Sequence, residues 1–197
     1  MTEVHSLLQV DLVFTEKMDG SNVCLERNGV YARSHNEAPR HESFNALKAL
    51  HASLSYRIPA SWQVFGEWLW AKHSIFYDRL PAFLLVFGIR DQAEDQWLAW
   101  EEVVTWSGAQ GLSTVPVLWQ GICPTEAALQ HQVEAHIHQP TYSREQEGVV
   151  VRVSGSFSSA DFSQSVGKWV RPQHVQTSTH WREQKIVRNL LSEQPLP

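Results

Sequence analysis

Asn28-Gly29 sits between two short apolar runs, Val23-Cys24-Leu25-Glu26 and Val30-Tyr31-Ala32-Arg33. Asn-Gly tolerates the positive φ of a two-residue hairpin turn, so the runs are read as paired antiparallel strands. Leu7 to Thr15 reads as a strand running into Glu16-Lys17. Trp62 to Trp70 and Phe83 to Ile89 read as dense apolar strands, the second buried on both faces. From Glu42 to Leu54 the apolar residues Phe44, Leu47, Leu50 and Leu54 recur at three and four, which predicts a helix face. Ile58-Pro59 stops it, because a residue before proline is pushed out of the α region. Further helices are predicted over Glu101 to Trp106, over Thr125 to Ile137 with Thr125 as N-cap, and over Thr179 to Leu191. The last carries Trp181, Ile186, Val187, Leu190 and Leu191 as one stripe. Gly148 to Val153 and Val166 to Val170 read as short strands, joined by a mobile surface loop from Ser154 to Ser165. Strands and helices do not alternate strictly, which predicts an α+β fold with mostly antiparallel sheets. No linker divides the chain, so residues 1–197 are read as a single domain.

Composition narrows the classes. A chain of 197 residues buries about 70% of its unfolded surface, enough to need no disulfide or metal staple. Its two cysteines, Cys24 and Cys123, stand in unlike contexts. This excludes a disulfide scaffold and suits a reducing, cytoplasmic setting. No apolar run approaches the roughly 20 residues of a membrane span, and the N-terminus lacks the features of a signal peptide. The net charge is −5, which opposes broad electrostatic binding of nucleic acid but leaves room for a local basic groove. The nine tryptophans are read mainly as core, although exposed tryptophan also stacks on bases.

Chemistry concentrates first in Glu16-Lys17-Met18-Asp19-Gly20-Ser21-Asn22. A lysine that ends a strand at an Asp-Gly turn projects into whatever cleft the turn borders. Alone, the segment also fits a surface lysine in a hairpin. A nucleophilic lysine must shed its proton, and a free one has a pKa of roughly 10.4. Cations or desolvation are then needed around it. The chain supplies further charged motifs in order: Phe65-Gly66-Glu67, then Phe83-Leu84-Leu85-Val86-Phe87-Gly88-Ile89-Arg90-Asp91. Glu147-Gly148-Val149-Val150-Val151-Arg152 and Gly167-Lys168-Trp169-Val170-Arg171 follow.

The set K-x-D-G, F-G-E, an aromatic-bearing strand, E-G-V-V-V-R and G-K-W-V-R resembles the covalent nucleotidyltransferase superfamily of ATP-dependent ligases and capping enzymes. Within it the K-M-D-G-S-N form is most similar to the phage-type RNA ligases. Arg171-Pro172-Gln173-His174-Val175-Gln176-Thr177 before Trp181 also resembles small RNA-ligase-like proteins. The resemblance implies two mainly antiparallel sheets, flanked by helices, around a nucleotide pocket. It implies ATP and Mg²⁺ or Mn²⁺ as cofactors, and RNA ends with a 5′-phosphate and a 3′-hydroxyl as partners. Lys17 would attack the α-phosphate and carry AMP. The backbone around Glu16 would read the adenine edge, and Asn22 would sit near the phosphates or the strand end. Arg33 would contact phosphate, with Arg40 as the rival. Glu67 would bond the ribose hydroxyls, Phe87 would stack on adenine, and Glu147 would bind the metal. Lys168 and Arg171 would grip the α-phosphate.

Positioned cations and an in-line leaving group are what nucleotidyl transfer needs, and one carboxylate with phosphate oxygens suits Mg²⁺. Two departures stand out. Lys168 and Arg171 are three apart, whereas ligases usually alternate lysine with apolar residues here. Only 16 residues precede Lys17 and 26 follow Arg171, so a domain without a C-terminal accessory domain is expected, with a protein partner as one possible source of nucleic-acid binding. The alternatives are a non-sealing nucleotide- or nucleic-acid-binding module of the same fold, a DNA ligase, or a capping enzyme. His131, His136 and His138 read as a solvated helix face rather than a metal site. Lys72 and His73 stand where a substrate strand could pass. Neither cysteine has a neighbouring base motif.

Overall fold

The computed structural model describes residues 4–32, 41–171 and 186–192. Two sheets face each other. The smaller contains β1 (Asp11–Lys17), β8 (Val117–Ile122), β9 (Gly148–Val153) and β11 (Val166–Val170), in the order β11-β9-β1-β8 and antiparallel throughout. The larger contains β2 (Ser21–Glu26), β3 (Gly29–Ala32), β4 (Trp62–Trp68), β5 (Leu84–Asp91), β6 (Gln96–Trp97) and β10 (Phe157–Ser158), in the order β10-β6-β5-β4-β2-β3. A short β7 (Ser113–Thr114) runs parallel to β5. The α+β class with mainly antiparallel sheets therefore stands. β2 and β3 form the expected antiparallel hairpin, but its turn is Arg27-Asn28: Gly29 already pairs with Glu26 at the start of β3, and neither Asn28 nor Gly29 takes the positive φ that the Asn-Gly signal predicts.

Period-two burial separates the core from the inter-sheet space. In β4, Val64, Gly66 and Trp68 are buried, while Phe65 and Glu67 between them face the space between the sheets. Gly66 has no room for a side chain. A Cβ there would approach the Leu85 carbonyl oxygen to 2.9 Å, next to the point where the β4–β5 register shifts. The helices close the outer faces. Leu47 and Leu54 of α1 (Asn45–Leu54) and Trp100 and Val103 of α2 (Trp100–Ala109) join the core of the larger sheet. Leu129 and Val133 of α3 (Glu126–His136) pack with Leu12, Phe14, Val149 and Val151 behind the smaller one. The Thr125 hydroxyl caps α3, accepting the Ala128 N–H at 3.2 Å.

Several expectations need correction. β1 begins at Asp11, after a 3-10 turn over Val4–Leu7, so the strand does not start at Leu7. Ser154 to Ser165 is not a bare surface loop. It contains β10, a 3-10 turn (Ser159–Asp161) and α4 (Phe162–Ser165), anchored by Phe157 against Trp97. The C-terminal helix fails where it can be judged, because residues 186–192 run extended, bridging Ala71 and Leu80, and residues 179–185 lie outside the described set. Their backbone groups are satisfied by the loop they cross instead of by a helical ladder. Among the described residues no helix is long and apolar enough to cross a membrane.

Candidate active site

Strand register assembles the site. Lys17 pairs with Gly148, and Gly148 pairs on its other side with Val170. Lys17, Glu147 and Arg171 therefore gather at one end of the smaller sheet, although 130 and 24 positions separate them in sequence. Lys17 Nζ lies 2.5 Å from Glu147 Oε1. The Arg171 N–H donates to the Glu147 carbonyl at 3.1 Å, and the buried Arg171 Nε has no partner among the described residues. Gly148 allows this crowding: a Cβ there would collide with the Trp169 carbonyl oxygen. Three residues back along β11, the exposed Lys168 stands across from Val150 of β9.

The larger sheet contributes the opposite wall. Asn22 and Glu67 are cross-strand partners on β2 and β4. Glu67 Oε1 accepts the Gly20 N–H at 3.1 Å, which ties the turn after Lys17 to the opposite sheet. Asp19 locks that turn from the other side. Its Oδ2 accepts from the Ser74 N–H, the Ser74 hydroxyl and the Ile75 N–H at 2.7 to 2.8 Å, and its own N–H donates to Tyr77 Oη at 2.8 Å. The Ser21 hydroxyl and His73 Nε2 lie 3.3 Å apart.

Between the walls is a cavity of about 750 Å³. Its lining divides by chemistry. Lys17, Ser21, Asn22, Glu67, His73 and Lys168 make polar contributions, while Phe65, Phe87, Trp97, Phe157 and Phe162 supply aromatic surface. Phe87 also packs against the core of the larger sheet. Among the described residues no group of three or more His, Cys, Asp or Glu side chains is placed to hold a metal.

Burial sets the electrostatics. Glu67 is half-buried at the cavity wall, and the surrounding protein strips enough water to push its carboxyl up to about 8. The Lys17 charge opposes that shift, and Glu147 adds to it. Glu16 is buried. Desolvation raises its carboxyl above the ordinary range, opposed by the Thr141 N–H that Oε2 accepts at 2.9 Å. Its Oε1 has no partner among the described residues, and the Glu16 N–H donates to the Pro116 carbonyl. Tyr77, fully buried, is pushed well above the usual phenol range by desolvation.

Of the residues singled out from sequence, Glu16, Lys17, Asn22, Glu67, Phe87 and Lys168 border the cavity. Glu147 reaches it through its ion pair with Lys17, and Arg171 does not line it. Arg33 and Arg40 lie outside the described residues. Cys24 and Cys123 are buried free thiols, and burial pushes Cys24 up to about 12. Sequence reasoning gave no role to Arg152, which lines the cavity from β9. Its guanidinium donates to the Leu98 carbonyl at 2.7 Å and stands over Phe157, and burial lowers it to about 10. Its place two residues after Val150 on a strand was the available signal. Trp97, Phe157 and Phe162 could not be found that way, because three separate segments bring them together.

A family model described as RNA ligase matches residues 10–170. None of the curated proteins matches the chain. Among solved structures, a mutant of the Naegleria gruberi RNA ligase without ligand superposes with a TM-score of 0.60 at 17% identity, covering 85% of this chain and 51% of that one. Another mutant of the same protein, with ATP and Mn, gives 0.58 at 16% identity, covering 85% and 52%. An archaeal ATP-dependent RNA ligase gives 0.56 at 17% identity, covering 85% and 44%. The chain thus spans about half the length of these structures, with which it shares its fold.

Proposed function

Starting from a chain that belongs to the RNA ligase family, we propose that it is an ATP-dependent nucleotidyltransferase that forms lysyl-AMP on Lys17 and serves the sealing of RNA ends. The observation that carries this reading is the sharing of one inter-sheet cavity by Lys17, Asn22, Glu67, Phe87 and Lys168, with Glu147 paired to the lysine. The proposal treats residues 1–197 as one nucleotidyltransferase domain.

In the proposed reaction Lys17 leaves Glu147, loses a proton and attacks the α-phosphorus of ATP. A P–N bond forms, the bond from the α-phosphorus to the bridging oxygen breaks, and pyrophosphate departs. AMP then passes to a 5′-phosphate end, and attack by a 3′-hydroxyl releases AMP and seals the strand. Phe87 offers its ring to the base. Glu67, whose raised pKa keeps a share of it protonated near neutral pH, can both donate to and accept from a ribose hydroxyl. The Glu16 N–H already donates to the Pro116 carbonyl and is not offered to a ring nitrogen of the base, whereas the unpartnered Glu16 Oε1 can accept from an exocyclic amine. Lys168, with Asn22, faces the region a phosphate would occupy, and Arg171 backs the Glu147 end of the sheet.

The donors present fit a hard divalent cation. Glu147 is a single carboxylate at the cavity end, and Mg²⁺ or Mn²⁺ is commonly held by one or two carboxylates together with substrate phosphates. Such an ion would neutralise charge on the transferring phosphate when bound. The deciding experiment mixes the protein with α-labelled ATP and Mg²⁺ and follows label into the denatured chain. Wild type should become labelled and Lys17→Ala should not. Undiminished label in that variant sinks the assignment. Offering the labelled protein 5′-phosphorylated RNA with a 3′-hydroxyl, and separately DNA ends, then tests the choice of substrate.

A further inference from the structure

The two limbs of the loop between β4 and β5 are joined by a segment from far along the chain. Residues 186–192 lie between them. On one side the Lys72 N–H donates to the Val187 carbonyl at 2.7 Å, and the Asn189 N–H donates to the Trp70 carbonyl at 3.0 Å. On the other, the Leu190 N–H donates to the Tyr77 carbonyl at 2.9 Å, and the Ser192 N–H to the Leu80 carbonyl at 2.8 Å. Most of this strap is exposed, but Asn189 is fully buried. Its Nδ2 donates to the Leu69 carbonyl at 2.8 Å, and its Oδ1 accepts the Tyr77 N–H at 3.0 Å.

Both atoms that Asn189 holds lie one step from the nucleophile turn. Tyr77 Oη accepts the Asp19 N–H. Leu69 lies two residues after Glu67 and presses on Gly20, where a Cβ would meet Leu69 Cδ2 at 2.7 Å. One buried amide thus ties together the two supports of the Met18-Asp19-Gly20 turn. A buried side-chain amide is costly to desolvate unless its bonds are made, and here both are made to backbone.

We propose that Asn189 is a positioning residue for Lys17. Without touching substrate, it fixes Tyr77 and Leu69 so that the turn after Lys17 keeps the geometry that aims the amine. The proposal rests on the lysyl-AMP reading for its effect on rate, but not for its effect on the turn. Loss of aim shows in the chemical step more than in ATP affinity, since small misplacements of reacting groups are expensive.

The test uses full-length Asn189→Ala, Tyr77→Phe, the double variant and Arg188→Ala. Arg188 lies on the same strap, its guanidinium 5.0 Å from the Phe83 ring centroid, so its removal loosens the strap without touching the amide link. Three readouts are taken: single-turnover adenylation at saturating ATP, the ATP KM, and hydrogen exchange of the amides in residues 17–22. Asn189→Ala and Tyr77→Phe should each slow adenylation at least tenfold with KM within threefold, and each should speed exchange of the Asp19 amide. The double variant should be little worse than the slower single one. Arg188→Ala should lower the melting temperature but stay within about twofold of wild type in rate. Rate losses that track melting temperature across all variants, or unchanged Asp19 exchange in Asn189→Ala, overturn the proposal. If wild type forms no adduct, the lysine reading has failed, and the exchange arm still decides whether Asn189 holds the turn.

Discussion

Lys17 Nζ and Glu147 Oε1 form a 2.5 Å ion pair between the end of β1 and the start of β9. Their side chains are 24% and 9% exposed, so the pair is sheltered but not sealed. The lysine cannot remain in it and act as a nucleophile. In the proposed reaction the carboxylate then has two tasks: it holds the lysine before nucleotide binds, and it takes part in holding the cation once the lysine turns to phosphate.

Glu147→Ala should consequently reduce adenylation by orders of magnitude even though it releases the lysine. Raising ATP alone should not restore it, because the missing group is the proposed cation ligand. Single-turnover labelling across an ATP series decides this. Recovery at high ATP would reduce Glu147 to a structural partner of Lys17.

Glu67 gives a pH signature. Burial raises its folded-state pKa from the ordinary 4.5 to about 8. The folded protein thus holds a proton that the unfolded chain releases near 4.5. The stability contributed by this group is complete below pH 4.5 and is lost as the pH rises through about 8. Glu67→Gln cannot titrate. The melting temperature of wild type minus that of Glu67→Gln should fall steadily from pH 5 to pH 9, and a difference that rises or stays flat contradicts the shift.

The strands that carry the site were legible because their residues repeat local rules. Gly148 to Val153 and Val166 to Val170 match the structure end to end, and the β2–β3 hairpin forms, with its turn one residue earlier than the Asn-Gly signal places it. Register was not legible. That Lys17 stands beside Gly148, and Asn22 opposite Glu67, depends on pairings across 131 and 45 positions that no local window contains. The strap misled for a related reason. Ile186, Val187, Leu190 and Leu191 recur at helical spacing, yet the loop they cross offers carbonyls and N–H groups to an extended backbone, and tertiary bonding overrides the periodicity. Phe157 was hidden among serines, and its burial depends on Trp97 from β6.

Gly20→Ala probes the tight approach in the turn after Lys17. The added Cβ would sit 2.7 Å from the Trp68 carbonyl oxygen and 2.7 Å from Leu69 Cδ2. The Leu69 side chain can rotate away, but the Trp68 backbone oxygen has to move with β4. Overpacking of this kind costs about 1–3 kcal/mol. Because Glu67 bonds the same residue's N–H, the shift should also slow adenylation. Chemical denaturation beside the labelling assay checks both effects. A variant of wild-type stability and rate would mean that the turn has slack.

Nucleotide recognition can be split between Phe87 and Glu67 by comparing substrates as well as variants. Phe87→Ala should weaken ATP binding by about 1–3 kcal/mol, the range for stacking of a base on an aromatic ring. It should do so for ATP and 2′-deoxy-ATP alike, since the ring contacts no ribose hydroxyl in this assignment. Glu67→Ala should lose rate more than affinity, because a ribose without its anchor lets the α-phosphate drift from in-line geometry. The 2′-deoxy analogue removes that anchor from the other side. It should slow wild type and leave Glu67→Ala nearly unaffected, the non-additivity expected when two changes delete one interaction. Single-turnover rates for the two nucleotides on the two proteins suffice. An equal penalty in both makes Glu67 a carboxyl that only fastens Gly20 to β4, and the ribose then has to be held by some other group of the cavity.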